Sequence, residues 1–150
     1  MADANFIPTR TPPPVLGTRT LGLELSSEFE VAASIRDGLP SSAINALARQ
    51  LDRSNKYVLS ITNIPESTFH HHQKTRKPLS ADASSRVYQV ARAVEAAEEY
   101  FENDKGAAQH WLTHPKLALG GETPLEFSRT PQGSDYVVKL LKRMAHGVIS

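Results

Sequence analysis

From Ser26 onward, apolar residues recur at intervals of three and four rather than two, and the pattern predicts helices nearly throughout. SSEFEVAASIRDG combines a serine cap, early acids and a closing Gly38, and puts Phe29, Ala32, Ala33 and Ile35/Arg36 on one helical face. LPSSAINALARQLD follows, with Ile44, Leu47, Ala48 and Leu51 at the spacing of a buried helical stripe. NKYVLSITN and IPESTFHHHQKT read as two short helices, the second with proline at its start, where a missing N–H costs little. The longest predicted helix is LSADASSRVYQVARAVEAAEEYFEND, capped by Ser80 and striped by Val87, Val90, Ala91, Val94 and Phe101. KGAAQHWLTHP is a short helix stopped before Pro115. Gly120 and Gly121 carry a turn, Thr123 and Pro124 open the next helix, and Val137, Leu140, Leu141 and Met144 give the last helix its inward face. Strand-type alternation is almost absent, so the fold class is all-α.

Residues 1–25 differ. They are rich in proline and threonine, with TPPPV in the middle, and read as an extended arm. The arm is either a disordered tail or an extended strand, VLGTRTLGLEL, docked on the body. The late part of the long helix carries Glu95, Glu98, Glu99 and Glu102, the wrong sign for a helix C-terminus. These acids form a solvated face or await a basic partner.

At 150 residues, 39% hydrophobic and 22% charged, the chain is the size of one domain or two small ones. A net charge of +1 gives no global field toward nucleic acid or membrane. The lack of cysteine removes disulfides and thiolate metal sites and fits a reducing cytoplasm. No apolar run approaches a membrane span, and the opening residues lack the pattern of a signal peptide. There is no nucleophile–base pairing, phosphate-binding glycine loop or metal-ligand spacing, so an enzyme is not expected and no catalytic residue or cofactor is assigned.

The triplet His70–His71–His72 poses a sharper question. A helix turns about 100° per residue, so three consecutive histidines point three ways and make a poor metal site. The better reading is a recognition helix. From Arg53 to Lys77 the chain holds five positive residues (Arg53, Lys56, Lys74, Arg76, Lys77) against Glu66 alone, a local net of +4 on a chain of +1. With Phe69 inward, Ser67, His71 and Lys74 face outward, flanked by Thr68 and His70, while His72 lies toward the core. The candidate DNA contacts are Ser67, Thr68, His70, His71, Lys74, Arg76 and Lys77. Histidine in general titrates near pH 6.5, so binding is expected to strengthen as pH falls toward about 6. An affinity flat from about pH 8 to about pH 6 would remove the histidines from the interface.

The C-terminal half carries an ordered set of residues: Ala108, Trp111, Leu112 and Pro115, then ALGG at 118–121, TPLE at 123–126, Thr130, Gly133 and a last helix closing on His146 and Gly147. This set resembles the Xre/MbcA/ParS antitoxin family. LSADASSRVYQVARAVEAA and IPESTFHHHQKT look like that family's long helix and helix-turn-helix, so the likeness covers about residues 27–150. The resemblance implies a division into the arm (1–25), an Xre-like helix-turn-helix domain (26–79) and a toxin-binding domain that includes the long helix (80–150). It implies an antitoxin that binds and inhibits a RES-domain toxin encoded beside it, of a kind that degrades NAD⁺. It further implies operator binding that represses the operon, a homodimer formed through the helix-turn-helix half, and a higher hetero-oligomer with the toxin. Where the family often reads Thr-Leu-x-Arg-Arg, this chain reads Thr68-Phe69-His70-His71-His72, which removes two arginines from the expected DNA face.

In the C-terminal motif, Trp111 is expected to anchor the small bundle. The candidate toxin contacts are Lys139, Lys142 and Arg143 on the last helix, then Val148, Ile149 and the Ser150 carboxylate. That apolar tail either packs on its own domain or plugs the toxin's cleft. The alternative function is a stand-alone helix-turn-helix regulator whose C-terminal bundle senses a small ligand.

Overall fold

The structure, a computed structural model, describes residues 12–147. These form eight α-helices and two short 3-10 turns with no strand, in agreement with the all-α expectation. The helices are α1 (Glu28–Asp37), α2 (Ser42–Leu51), α3 (Asn55–Thr62), α4 (Glu66–Thr75), α5 (Ala81–Tyr100), α6 (Lys105–Thr113), α7 (Pro124–Phe127) and α8 (Pro131–Ala145).

Local chemistry sets the boundaries. The hydroxyls of Ser27, Ser54, Ser80, Thr123 and Thr130 each accept the amide N–H three residues on, satisfying one of the donors a helix start leaves open. Thr123 and Glu126 form a reciprocal capping box behind Pro124 at the first turn. Two glycines are imposed by close approach. A Cβ at Gly38, already at φ 100°, would collide with the Leu79 carbonyl oxygen, and one at Gly133 would collide with that of Phe127. Gly133 therefore lets the start of α8 close onto the end of α7.

Helix α5 is the spine. Twelve (12) of its 20 residues are buried, so it is packed on most sides rather than along one stripe. Val87, Val90, Ala91 and Val94 are fully buried as expected, and Phe101 lies half-buried just past the helix end. Around α5 sit Ile44, Leu47 and Leu51 of α2, Val58 of α3, Leu112 of α6, Leu125 of α7 and Val137 and Leu141 of α8. Each such side chain contributes about 1.5–3 kcal/mol by leaving water. The most extensive helix–helix contact runs between α5 and α8. There the Ser134 hydroxyl donates to the Gln89 carbonyl at 2.8 Å, and Arg92 pairs with Asp135 at 2.7 Å. Ser80 caps α5, and α5 packs against α1–α3 as well as α6–α8.

Several expectations need correction. Phe29 is 80% exposed, and Val31 is the buried residue of α1. The two are separated by about 200° around the helix axis, so burying one turns the other to solvent. Trp111 is only half-buried, with the Lys116 ammonium 5.3 Å from its ring centre; Ala108 and Leu112 are the buried residues of α6. Glu95 is not solvated. It is buried, and its Oε1 accepts the Gly17 N–H at 3.0 Å and the Thr20 hydroxyl at 3.4 Å. Glu98 accepts both of its hydrogen bonds from Gln50 Nε2, at 3.0 and 2.8 Å.

The partner of Glu95 is thus the N-terminal arm. From Val15 to Leu25 the described part of the arm is a closed loop, neither a strand nor a loose tail. Val15 N–H donates to the Leu25 carbonyl at 2.8 Å, Arg19–Leu21 make a 3-10 turn, and Leu21 enters the core.

Candidate functional site

Helices α3 and α4 are joined by the turn Asn63–Ile64–Pro65. Asn63 takes the left-handed conformation (φ 55°), its N–H capping α3, and Ile64 is buried beneath the turn. The carbonyl end of α3 is held by two guanidiniums from elsewhere. Arg86 of α5 donates to the Thr62 carbonyl at 2.6 Å and to that of Asn63 at 3.4 Å. Arg129, between α7 and α8, donates to the Ile61 carbonyl at 3.3 Å. The turn before α4 is therefore fixed by both halves of the molecule.

Helix α4 buries one side chain, Phe69, which is the inward anchor expected. Ser67, His70, His71 and Lys74 are exposed and Thr68 is half-buried, so these five form the outer face together with Arg76 and Lys77 just beyond the helix. His72 is half-buried, and its Nδ1 lies 3.2 Å from the Lys77 carbonyl, closing the turn after the helix. The described residues contain two ion pairs, Arg36–Asp37 and Arg92–Asp135, and neither draws on the cations of α4. Lys74, Arg76 and Lys77 thus present their charge to solvent, as phosphate binding requires.

The second candidate surface is the outer face of α8. Tyr136, Lys139, Lys142 and Arg143 line a shallow depression of about 390 Å³. The Arg143 guanidinium sits 5.9 Å from the Tyr136 ring centre, and Tyr136 stands edge-on to Phe127 at 5.7 Å. These contacts fix an aromatic within a field of three cations, suited to an acidic partner surface. The 3-10 turn Leu117–Leu119, between α6 and α7, holds Leu117 97% exposed. Val148, Ile149 and Ser150 lie outside the described residues. Tyr136 and Leu117 are exposed apolar residues that were not among the sequence candidates. Tyr136 lies one turn before Lys139 and was readable as part of its face, whereas nothing local marks Leu117 as exposed. His110 and His114 of the α6 end stack at 3.8 Å, with His114 Nδ1 2.6 Å from the His110 carbonyl.

A helix-turn-helix and a separate helical bundle bearing a cationic face, both built on one long helix, define a two-part binding protein. Residues 30–92 match the antitoxin Xre-like helix-turn-helix domain, and residues 96–147 match the antitoxin Xre/MbcA/ParS C-terminal toxin-binding domain. The antitoxin Xre of Pseudomonas putida is 30% identical over 128 residues, covering 83% of this chain and 76% of that protein. The antitoxin Xre of Photorhabdus laumondii is 27% identical over 132 residues, covering 88% and 89%. A protein of Sphingobium sp. described as a Prs ADP-ribosylating antitoxin is 27% identical over 124 residues, covering 77% and 78%. The chain belongs to the Xre/MbcA/ParS antitoxin family: it is an antitoxin of a toxin–antitoxin system with a helix-turn-helix domain. No described helix is long and apolar enough to cross a membrane.

Proposed function

We propose that this antitoxin binds and inhibits a RES-domain, NAD⁺-degrading toxin encoded by the adjacent gene, occluding its active site, and that it works in the cytoplasm without catalysis of its own. The observation that carries this reading is the cationic face of α8, Lys139, Lys142 and Arg143 around Tyr136, inside the segment matched to a toxin-binding domain. NAD⁺ carries a pyrophosphate, and a cleft that holds it is lined for charge. Cations on α8 and the C-terminal residues Val148, Ile149 and Ser150 can meet that lining in place of the cofactor. The similarity to an antitoxin whose description names ADP-ribosylation supports a toxin that handles NAD⁺.

The helix-turn-helix half binds operator DNA and represses the operon. Its contacts are Ser67, Thr68, His70, His71, Lys74, Arg76 and Lys77, all on the outer side of α4 or directly after it. It forms a homodimer through this half, because two-fold operators pair two recognition helices one helical turn apart, and the toxin joins this dimer in a hetero-oligomer. In this reading the chain divides functionally at residues 26–79 and 80–150, and α5, at the start of the second part, packs against helices of both.

Co-expression with the product of the adjacent gene tests the reading. The neighbour alone should arrest growth and drain NAD⁺, and this chain should restore both while co-purifying with it. A harmless neighbour that does not co-purify contradicts the proposal.

A further inference from the structure

A groove of about 190 Å³ opens between the C-terminal halves of α5 and α8. Ala96 and Tyr100 line it from α5, Leu141 and Ala145 from α8, and Leu16 from the N-terminal arm, with Lys142 and Glu99 exposed at its rim. We propose that this groove seats an apolar side chain of the toxin, with a toxin carboxylate on the Lys142 side. The proposal rests on the antitoxin reading above and gives it a specific contact.

Three observations carry it. First, every lining residue except Leu16 lies within 96–147, the segment matched to the toxin-binding domain. Second, Lys142 lines both this groove and the depression around Tyr136, Lys139 and Arg143. The apolar and cationic parts are therefore one continuous surface, an apolar centre beside a charged rim, as protein interfaces are built. Third, the volume suits the occupant. A protein cavity of about 150 Å³ takes up benzene, so this one admits a phenylalanine, leucine or isoleucine side chain.

The Leu16 wall is held in place rather than draped. The neighbouring Gly17 N–H donates to the buried Glu95 carboxylate at 3.0 Å, and the Thr20 hydroxyl joins it at 3.4 Å. At Gly17, φ is 94° and a Cβ would stand 3.0 Å from the Arg92 amide nitrogen, so only glycine brings the chain this close to α5. The arm lies outside both matched segments, yet it completes the groove. Its role in this chain is to build part of the toxin-binding surface.

The test uses the full chain and the purified RES-domain product of the adjacent gene, titrated by calorimetry. Ala145→Trp fills the mouth from an exposed position, and Leu16→Ser removes the wall. Phe29→Ser, an apolar loss at the 80% exposed position of α1, is the control. Both groove variants should bind about tenfold more weakly or worse, the worth of one buried apolar side chain. Phe29→Ser should bind like the wild type, and Ala145→Trp should melt like it. Wild-type affinity in both groove variants overturns the proposal and leaves the antitoxin reading standing. A wild-type chain that does not bind the RES-domain protein overturns both. Two further results replace the occupant. If deleting residues 148–150 weakens binding as much as Ala145→Trp, and the two changes together do no more than either, the groove seats the chain's own C-terminus. If Ala145→Trp converts a dimer of the free chain to a monomer in sedimentation, a second copy sits there.

Discussion

Phe69 is the only buried side chain of α4, and at 1% exposure it holds that helix against the body. Phe69→Ala should therefore be costly and local. Truncating a fully buried phenylalanine costs about 3–5 kcal/mol, the lost transfer energy plus the cavity left behind. That is a large share of the roughly 5–15 kcal/mol that holds a domain together. The loss should fall first on α4, because no other buried side chain of that helix remains to hold it. Urea unfolding should report at least about 2 kcal/mol lost, the low end for core truncations. Native-state hydrogen exchange should show α4 amides opening about a hundredfold more readily, while amides of α5 and α8 near Val94 and Leu141 change little by local opening. DNA affinity should fall with α4, and toxin inhibition should persist, because the α8 surface uses none of these residues. A stability loss under about 1 kcal/mol with unchanged α4 exchange would refute the reasoning, since the truncation range could not then apply.

Three other predictions follow from single contacts. Arg129→Ala removes the donor to the Ile61 carbonyl and should lower stability by about 1 kcal/mol, read by urea unfolding, with protection lost first at the end of α3. Lys74→Ala and Lys77→Ala should each flatten the dependence of log K for DNA on log salt by about 0.9, the signature of a lost phosphate contact; an unchanged slope takes that lysine out of the interface. Burial holds the Glu98 carboxyl above its ordinary value, against the lowering influence of its Gln50 hydrogen bond and of Lys105. A raised carboxyl pKa means that its contribution to stability is full in acid and lost as pH rises through the folded value. Glu98→Gln should thus raise the melting temperature at neutral pH, and the gain should shrink below the unfolded carboxyl range.

What was legible in the sequence was what acts within a turn of helix. The Ser80 cap, the Thr123–Pro124 start and the inward Phe69 depend on residues three or four apart, and the structure has them as read. The same holds for the α8 face, where Val137, Leu140 and Leu141 are buried while Lys139, Lys142 and Arg143 are exposed. Phe29 was misread because α1 carries apolar residues on opposite sides, and only the position of α5 decides for Val31. Glu95 was illegible for a different reason. Its donor, Gly17, is 78 residues away, and a proline-rich arm carries no local sign of where it docks. The guanidiniums of Arg86 and Arg129 that hold the end of α3 are likewise long-range, 24 and 68 residues from their carbonyls. The α5–α8 groove, built from three segments, exists only once they are assembled.

The central claim is that this chain neutralises an NAD⁺-consuming toxin by binding it. The most direct measurement is NAD⁺ consumption by the purified RES-domain product of the adjacent gene, titrated with this chain. The account predicts that consumption falls to zero at a fixed molar ratio, and that reversing the charge of Lys139, Lys142 and Arg143 together shifts the titration to higher concentration. Undiminished NAD⁺ consumption in the presence of excess folded antitoxin would contradict it.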